Sequence, residues 1–197
     1  VVQPQMASWE KSGDDLTYTF KLRDGLLFHD GAKVTAADAV ASLKRWGARD
    51  GVGRQLIAAT KALRKVDDRT FELHLGKPFG HVIEAIGKAA ALVPFMMPAR
   101  IANTPATTII QEIVGSGPFI FKREEWRPGN RVVFHKNTRY VPRDEPADGL
   151  AGGKRVHFDR VEFVSIPDAS TRINALVTGD VDFLERVPPD FITNLQR

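Results

Sequence analysis

LTYTFKLRDGLLFHDGAKVTAADAVASLKR, residues 16–45, is the stretch that decides the fold. Leu16, Tyr18, Phe20 and Leu22 alternate with Thr17, Thr19 and Lys21, the period of two that marks a strand with one buried face. Asp24-Gly25 ends that strand. The apolar run Leu26-Leu27-Phe28 then stops at a second turn, His29-Asp30-Gly31, where glycine supplies a positive φ that a side chain resists. Thr35 offers its hydroxyl to the open N–H groups of a new helix, and Asp38 three residues on makes an acidic capping box. The helix that follows should turn Val40, Leu43 and Trp46 inward and Lys44, Arg45 and Arg49 to water.

Working outward, the residues before Leu16 are polar and are expected to be irregular, and the three glycines of 47–53 suggest a loop or helix break before helix resumes over 54–62. Leu63–Val66 and Phe71–Leu75 flank Asp67-Asp68-Arg69-Thr70 and predict a β-hairpin. Phe79, Val82, Ile83 and Ile86 have helical spacing over 79–88. The run AALVPFMMPAR, 90–100, cannot be a regular helix because of Pro94 and Pro98, and an apolar loop braced by proline has to be buried against its own lobe or a ligand. Met96 and Met97, unbranched and adaptable, suit either a core or a ligand cavity. Strands are expected over 119–126 and 131–136, joined by the turn Arg127-Pro128-Gly129-Asn130, with a polar connection over 137–154. A strand over 158–166, a helix from Pro167-Asp168 with Ile173, Leu176 and Val177 inward and Gly179 at its C-terminal end, and a short strand Val181–Leu184 would form a parallel βαβ unit. Pro188-Pro189-Asp190 begins a last helix.

Composition limits what these elements can be. The chain has 197 residues, 43% hydrophobic and 26% charged, values that argue against disorder, and no apolar run approaches the about 20 residues a membrane-spanning helix needs. Its 28 basic residues are interleaved with 24 acidic ones, so the net charge of +4 makes no phosphate-tracking block and no nucleic-acid partner is expected. Even the densest basic run, Lys61 to Lys65, meets Asp67-Asp68 and fits a solvated hairpin. Cysteine is absent, which suits an oxidising compartment and a cytosolic one alike. The chain opens on Val1, so a mature or trimmed N-terminus is expected and nothing follows from the lack of a leader.

Catalytic chemistry finds little footing. Histidines 29, 74, 81, 135 and 157 are scattered without metal-ligand spacing, no nucleophile elbow occurs, and Gly115-Ser116-Gly117-Pro118 is not followed by the Lys-Ser/Thr pair of a phosphate loop. Asp180 and Asp182 share a strand face, which a solvated edge explains without a carboxylate dyad. No enzyme activity, metal or cofactor is expected.

The string LRDGLLFHDGAKVTAADAVASLKR resembles the signature of the family 5 extracellular solute-binding proteins, the oligopeptide, dipeptide and nickel receptors of ABC importers. Three further landmarks keep the family's order: GSGPFIFKREEWRPGNRVVFHKNTRY (115–140), VHFDRVEFVSIPDASTRINAL (156–176) and GDVDF (179–183). Ala39, Ser116 and Phe119 stand where the family often has a larger residue, Thr and Tyr, departures that remove no turn or cap. The resemblance implies a mixed α/β fold, a part of a type II periplasmic-binding-protein-like architecture, with a small subdomain over 1–103, part of the main lobe over 104–197 and the second lobe beyond the chain. It also implies a monomer in the periplasm, or lipid-anchored outside the membrane, that captures a peptide or similar small solute between two lobes and hands it to a membrane permease. A solute-sensing domain of a cytoplasmic transcription regulator is the alternative.

In open α/β sheets the ligand crevice lies beyond the C-terminal ends of strands. The positions just past GDVDF, which reach the cleft in peptide-binding members of the resembled family, are Leu184, Glu185, Arg186 and Val187. Arg186 could meet a ligand carboxylate and Glu185 an amine, or the two could form a surface pair of little consequence. Met96 and Met97 complete the candidate site.

Overall fold

In the computed structural model, which describes residues 6–88, 92–149 and 151–195, the chain divides into two compact units, 1–120 with 136–159 and 121–135 with 160–197. The first is built on a four-stranded antiparallel sheet in the order β1-β2-β4-β3, from β1 (Ala7–Lys11), β2 (Thr17–Leu22), β3 (Thr60–Lys65) and β4 (Thr70–Leu75). Strand β2 has the alternation read from its sequence: Tyr18, Phe20 and Leu22 are buried, and across the register Phe20 stacks on Phe71 at 4.9 Å. β1 is a correction, since a strand forms where irregular chain was expected. Its residues are mostly exposed, so pairing with β2 and not burial recruits them.

Helix α1 (Ala36–Arg49) starts at the capping box read from Thr35 and Asp38. Leu43 and Trp46 are buried in one core with Phe20, Phe28, Leu73 and Leu75, and Val40 packs against it. Each such side chain withdrawn from water contributes roughly 1.5–3 kcal/mol. Arg45 departs from expectation. Instead of facing water alone, its guanidinium donates to the carbonyls of Thr104 at 2.5 Å, Pro105 at 3.1 Å and Thr108 at 2.7 Å. The glycine-rich stretch 47–53 is a break at a single residue, because Asp50 ends α1 and caps α2 (Gly51–Ala59), accepting from the Gly53 N–H at 2.8 Å. The chain passes from helix to strand at Thr60, earlier than the expected Ala62.

The helix predicted over 79–88 is only α3 (Val82–Ile86), although Phe79, Val82, Ile83 and Ile86 all meet the core. Of the proline-braced loop, 90–91 lie outside the described residues, 92–98 are irregular as expected, and the short α4 (Ala99–Ala102) follows. The connection 137–154 returns to the first unit. Arg139 donates to the His29 carbonyl at 2.7 Å, and Val141 sits where a Cβ on Gly25 would come within 3.3 Å of it. Gly25 and Gly31 have φ of 75° and 93°, the left-handed turns that the sequence demanded.

The second unit holds most of a three-stranded sheet in the order β5-β6-β7, from β5 (Phe119–Phe121), β6 (Arg131–Lys136) and β7 (Arg160–Val164). β5 is shorter than expected, since Arg123–Glu125 close into a 3-10 turn, and β7 is trimmed at both ends. One face of the β6–β7 pair carries Phe134 between Phe121 and Phe163, with 5.9 Å between centroids in each case. The other carries Arg160, which donates to Glu125 at 2.6 Å and Glu162 at 2.7 Å. α5 (Ala169–Thr178) is capped by Asp168, which accepts from the Thr171 N–H at 2.7 Å, and is closed by Gly179 at φ 79° as predicted.

Two expectations fail in this unit. Ile173 is buried, but Val177 is 66% exposed, so the inward stripe of α5 is narrower than its sequence suggested. Residues 181–184 are not a strand, Phe183 is 79% exposed, and among the described residues β7 pairs only antiparallel with β6. The parallel βαβ unit is therefore absent here, because a strand exists only when an edge receives it and no described edge does. The final helix begins as a 3-10 turn at Pro189–Phe191 and continues as α6 (Ile192–Leu195).

Candidate functional site

Leu184 to Val187 lie in irregular chain between α5 and the Pro189 turn, with Leu184 and Val187 half-buried and Glu185 and Arg186 exposed. Neither charged side chain forms an ion pair with a described residue, so the surface pair weighed from the sequence does not form. Met96 and Met97 are half-buried in the other unit. Met96 packs against the core. Met97 lines a groove of about 150 Å³ with Ser42, Trp46, Arg49, Asp50, Leu92 and Phe95.

That groove is shaped by helix α1. Asp38, Ser42, Trp46 and Arg49 recur at helical spacing, so one stripe of the helix faces the 92–99 loop. The Asp38 carboxylate uses one oxygen for the Thr35 N–H at 2.7 Å and hydroxyl at 2.6 Å, and the other for the Ala99 N–H at 2.7 Å. The Ser42 hydroxyl accepts from the Met97 N–H at 3.0 Å and donates to its carbonyl at 3.2 Å, while Trp46 Nε1–H donates to the Leu92 carbonyl at 2.5 Å. Lys88 pairs with Asp50 at 2.6 Å and lies 5.7 Å from the Trp46 ring centroid. The Lys88 ammonium and the Gly53 N–H together hold the Asp50 carboxyl below the usual carboxylate range. Exposed Leu92 and Phe95 form the apolar lip. Sequence reading missed Ser42, Trp46 and Asp50 as site-builders, yet the polar stripe spaced by four along α1 was a signal that could have found them.

On the open face of the first sheet, Thr17 Oγ1 lies 3.2 Å from His74 Nδ1, and His74 Nε2 lies 2.7 Å from Glu72. Glu72 also binds Arg64 at 2.9 Å, so the carboxylate is already compensated and the chain of contacts ties three strands together. Among the described residues no group of three potential metal ligands occurs, and no helix is long and apolar enough to cross a membrane.

The mixed α/β chain, with its helix-braced four-stranded sheet and a second, three-stranded sheet, makes up part of the fold of a type II periplasmic binding protein. The solved structure of the periplasmic binding protein AgaA from A. tumefaciens R10, in complex with agropinic acid, superposes with a TM-score of 0.75 at 30% identity, over 98% of this chain and 36% of that one. The chain belongs to the bacterial extracellular solute-binding proteins, family 5, whose middle-region model matches residues 1–197. A probable peptide ABC transporter periplasmic-binding protein of Sinorhizobium fredii is 43% identical over 96% of this chain and 36% of its own length. The oligopeptide-binding protein AppA of Bacillus subtilis, solved with a nonapeptide, gives a TM-score of 0.74 at 25% identity over 98% of this chain and 36% of AppA. The chain thus spans about a third of the length of the relatives it matches, and none of the three carries the name of a transcription regulator.

Proposed function

We propose that the protein is the solute-binding component of an ABC importer in the periplasm, a monomer that takes up a peptide or a small solute of similar polarity and delivers it to a membrane permease. The observation that carries this reading is the match of the whole chain to one solute-binding family, joined to 43% identity with a relative named for peptide transport. A binding role for 184–187 is supported by Glu185 and Arg186, which form no ion pair with a described residue and whose charges suit the two ends of a peptide. Leu184 and Val187 would pack beside the solute, and Met96 and Met97, in the first unit, are a separate candidate contact suited to varied side chains. Capture follows from closure of two lobes, favoured by the solute's greater affinity for the closed state.

Native mass spectrometry of the protein purified from its own host tests the class of solute: a bound peptide or comparable small molecule is expected. Calorimetry with that solute then tests the residues. Arg186→Ala should weaken binding about tenfold or more, as loss of a charge-assisted bond in an enclosed site requires. Unchanged affinity in Arg186→Ala and Glu185→Ala would remove these residues from the site, and turnover of the solute would overturn the receptor reading.

A further inference from the structure

We infer that His29 is a proton-sensitive latch on the Gly115 amide, released when the imidazole takes up a second proton. The inference rests on how the two ring nitrogens are used. Nε2 lies 3.1 Å from the Gly117 carbonyl, an acceptor only, so Nε2 carries the hydrogen. Nδ1 lies 3.3 Å from the Gly115 N–H, a donor only, so Nδ1 must be bare. The two contacts together demand the neutral ring. The His29 N–H also donates to the Gly115 carbonyl at 2.8 Å, which brings the segment so close that a Cβ on Gly115 would stand 3.2 Å from the ring.

Protonation puts a hydrogen on Nδ1 that faces the Gly115 N–H, so one contact turns repulsive while the charged ring strengthens its hold on the Gly117 carbonyl. Gly117 keeps a second donor in any case, the Asn137 side-chain amide at 3.0 Å, and the Asn137 N–H holds the Pro118 carbonyl at 2.8 Å. Release is therefore local to the Gly115 N–H, since the Gly115 carbonyl keeps the His29 N–H. The charged groups around the ring are Arg139, whose guanidinium reaches the His29 carbonyl, and Asp30, which is itself held by Arg100 and, through it, Glu112. Burial, joined by Arg139, holds the imidazole below its ordinary pKa, opposed by the Gly117 carbonyl and Asp30. The latch is closed at neutral pH and opens in mild acid, and the stability it contributes, complete above the ordinary histidine pKa, is lost as pH falls through the lower folded value.

Hydrogen exchange at single-residue resolution on the intact protein, corrected for the intrinsic pH dependence of exchange, tests this between pH 7.5 and pH 5. Protection of the Gly115 amide should fall about five- to tenfold, the equivalent of one hydrogen bond, while that of Asn137 holds. His29→Asn, whose side-chain oxygen can accept from Gly115 without titrating, should flatten the response. Constant protection at Gly115 in the wild type, an equal fall at Asn137, or the same fall in a folded His29→Asn protein would overturn the inference. The comparison of Gly115 with Asn137 needs no variant.

Discussion

Removing the Asp38 carboxylate should destabilise the protein more than any capping effect can explain. The side chain is 8% exposed and has two tasks, one oxygen closing the start of α1 on Thr35 and the other receiving the Ala99 N–H. Losing a cap costs about 1 kcal/mol, and leaving the half-buried Ala99 N–H without its charged acceptor costs about 1–3 kcal/mol more. Asp38→Ala should therefore lose about 2–4 kcal/mol, which for a urea m value of about 2 kcal/mol/M moves the midpoint down by about 1–2 M. Asp38→Asn should recover little, because its amide NH₂ faces a donor whichever way it turns. Thr35→Ala removes only the cap and should shift the midpoint by about 0.5 M. Equilibrium unfolding in urea of the three variants, followed by circular dichroism, decides the matter. If Asp38→Ala falls no further than Thr35→Ala, the contact to Ala99 contributes nothing and α1 does not anchor the loop as described.

The other expectations concern separate parts of the chain. Arg45→Ala should speed hydrogen exchange over 104–108 by about tenfold, since the three carbonyls it holds lose their donor, and leave the β3–β4 hairpin unchanged. Gly179→Ala should destabilise α5 by roughly 1 kcal/mol because its φ of 79° strains a side chain, with Gly179→Asn milder, both read as shifts in urea midpoint. Asp50 is charged in the folded state at lower pH than in the unfolded chain, so its contribution is present above the ordinary carboxylate pKa and is lost as pH falls through the depressed one. A series of melting temperatures from pH 7 to pH 2.5 should accordingly fall less steeply below about pH 4 in Asp50→Asn than in the wild type, from a lower starting point.

Much of the first unit was legible because its signals are local. The alternation in Thr17–Leu22, the Thr35–Asp38 cap and the Asp67–Thr70 turn each fix backbone within a few residues, and each formed where it was read. β1 was invisible because Ala7–Lys11 has no buried face of its own and becomes a strand only by pairing with β2. Asp50 was read as part of a glycine-rich break because the glycines on either side mask a cap that needs only one residue. In the second unit the misreadings share a cause: Val181–Leu184 and the ends of β7 depend on neighbouring strands, and periodicity cannot say whether a neighbour is there. Of the candidate site, the sequence pointed to Met97 in its loop but not to Ser42 and Trp46, whose importance lies in backbone atoms that they reach across the fold.

Ser42 does for its loop what a neighbouring strand would otherwise do, receiving a peptide hydrogen and returning one to the same residue, Met97. A lone hydroxyl thereby sets the phase of a segment too rich in proline to pair with a sheet. Insertions or deletions between Leu92 and Met97 would slide the wrong peptide unit opposite that oxygen, so this loop should accept changes in side-chain chemistry far more readily than changes in length.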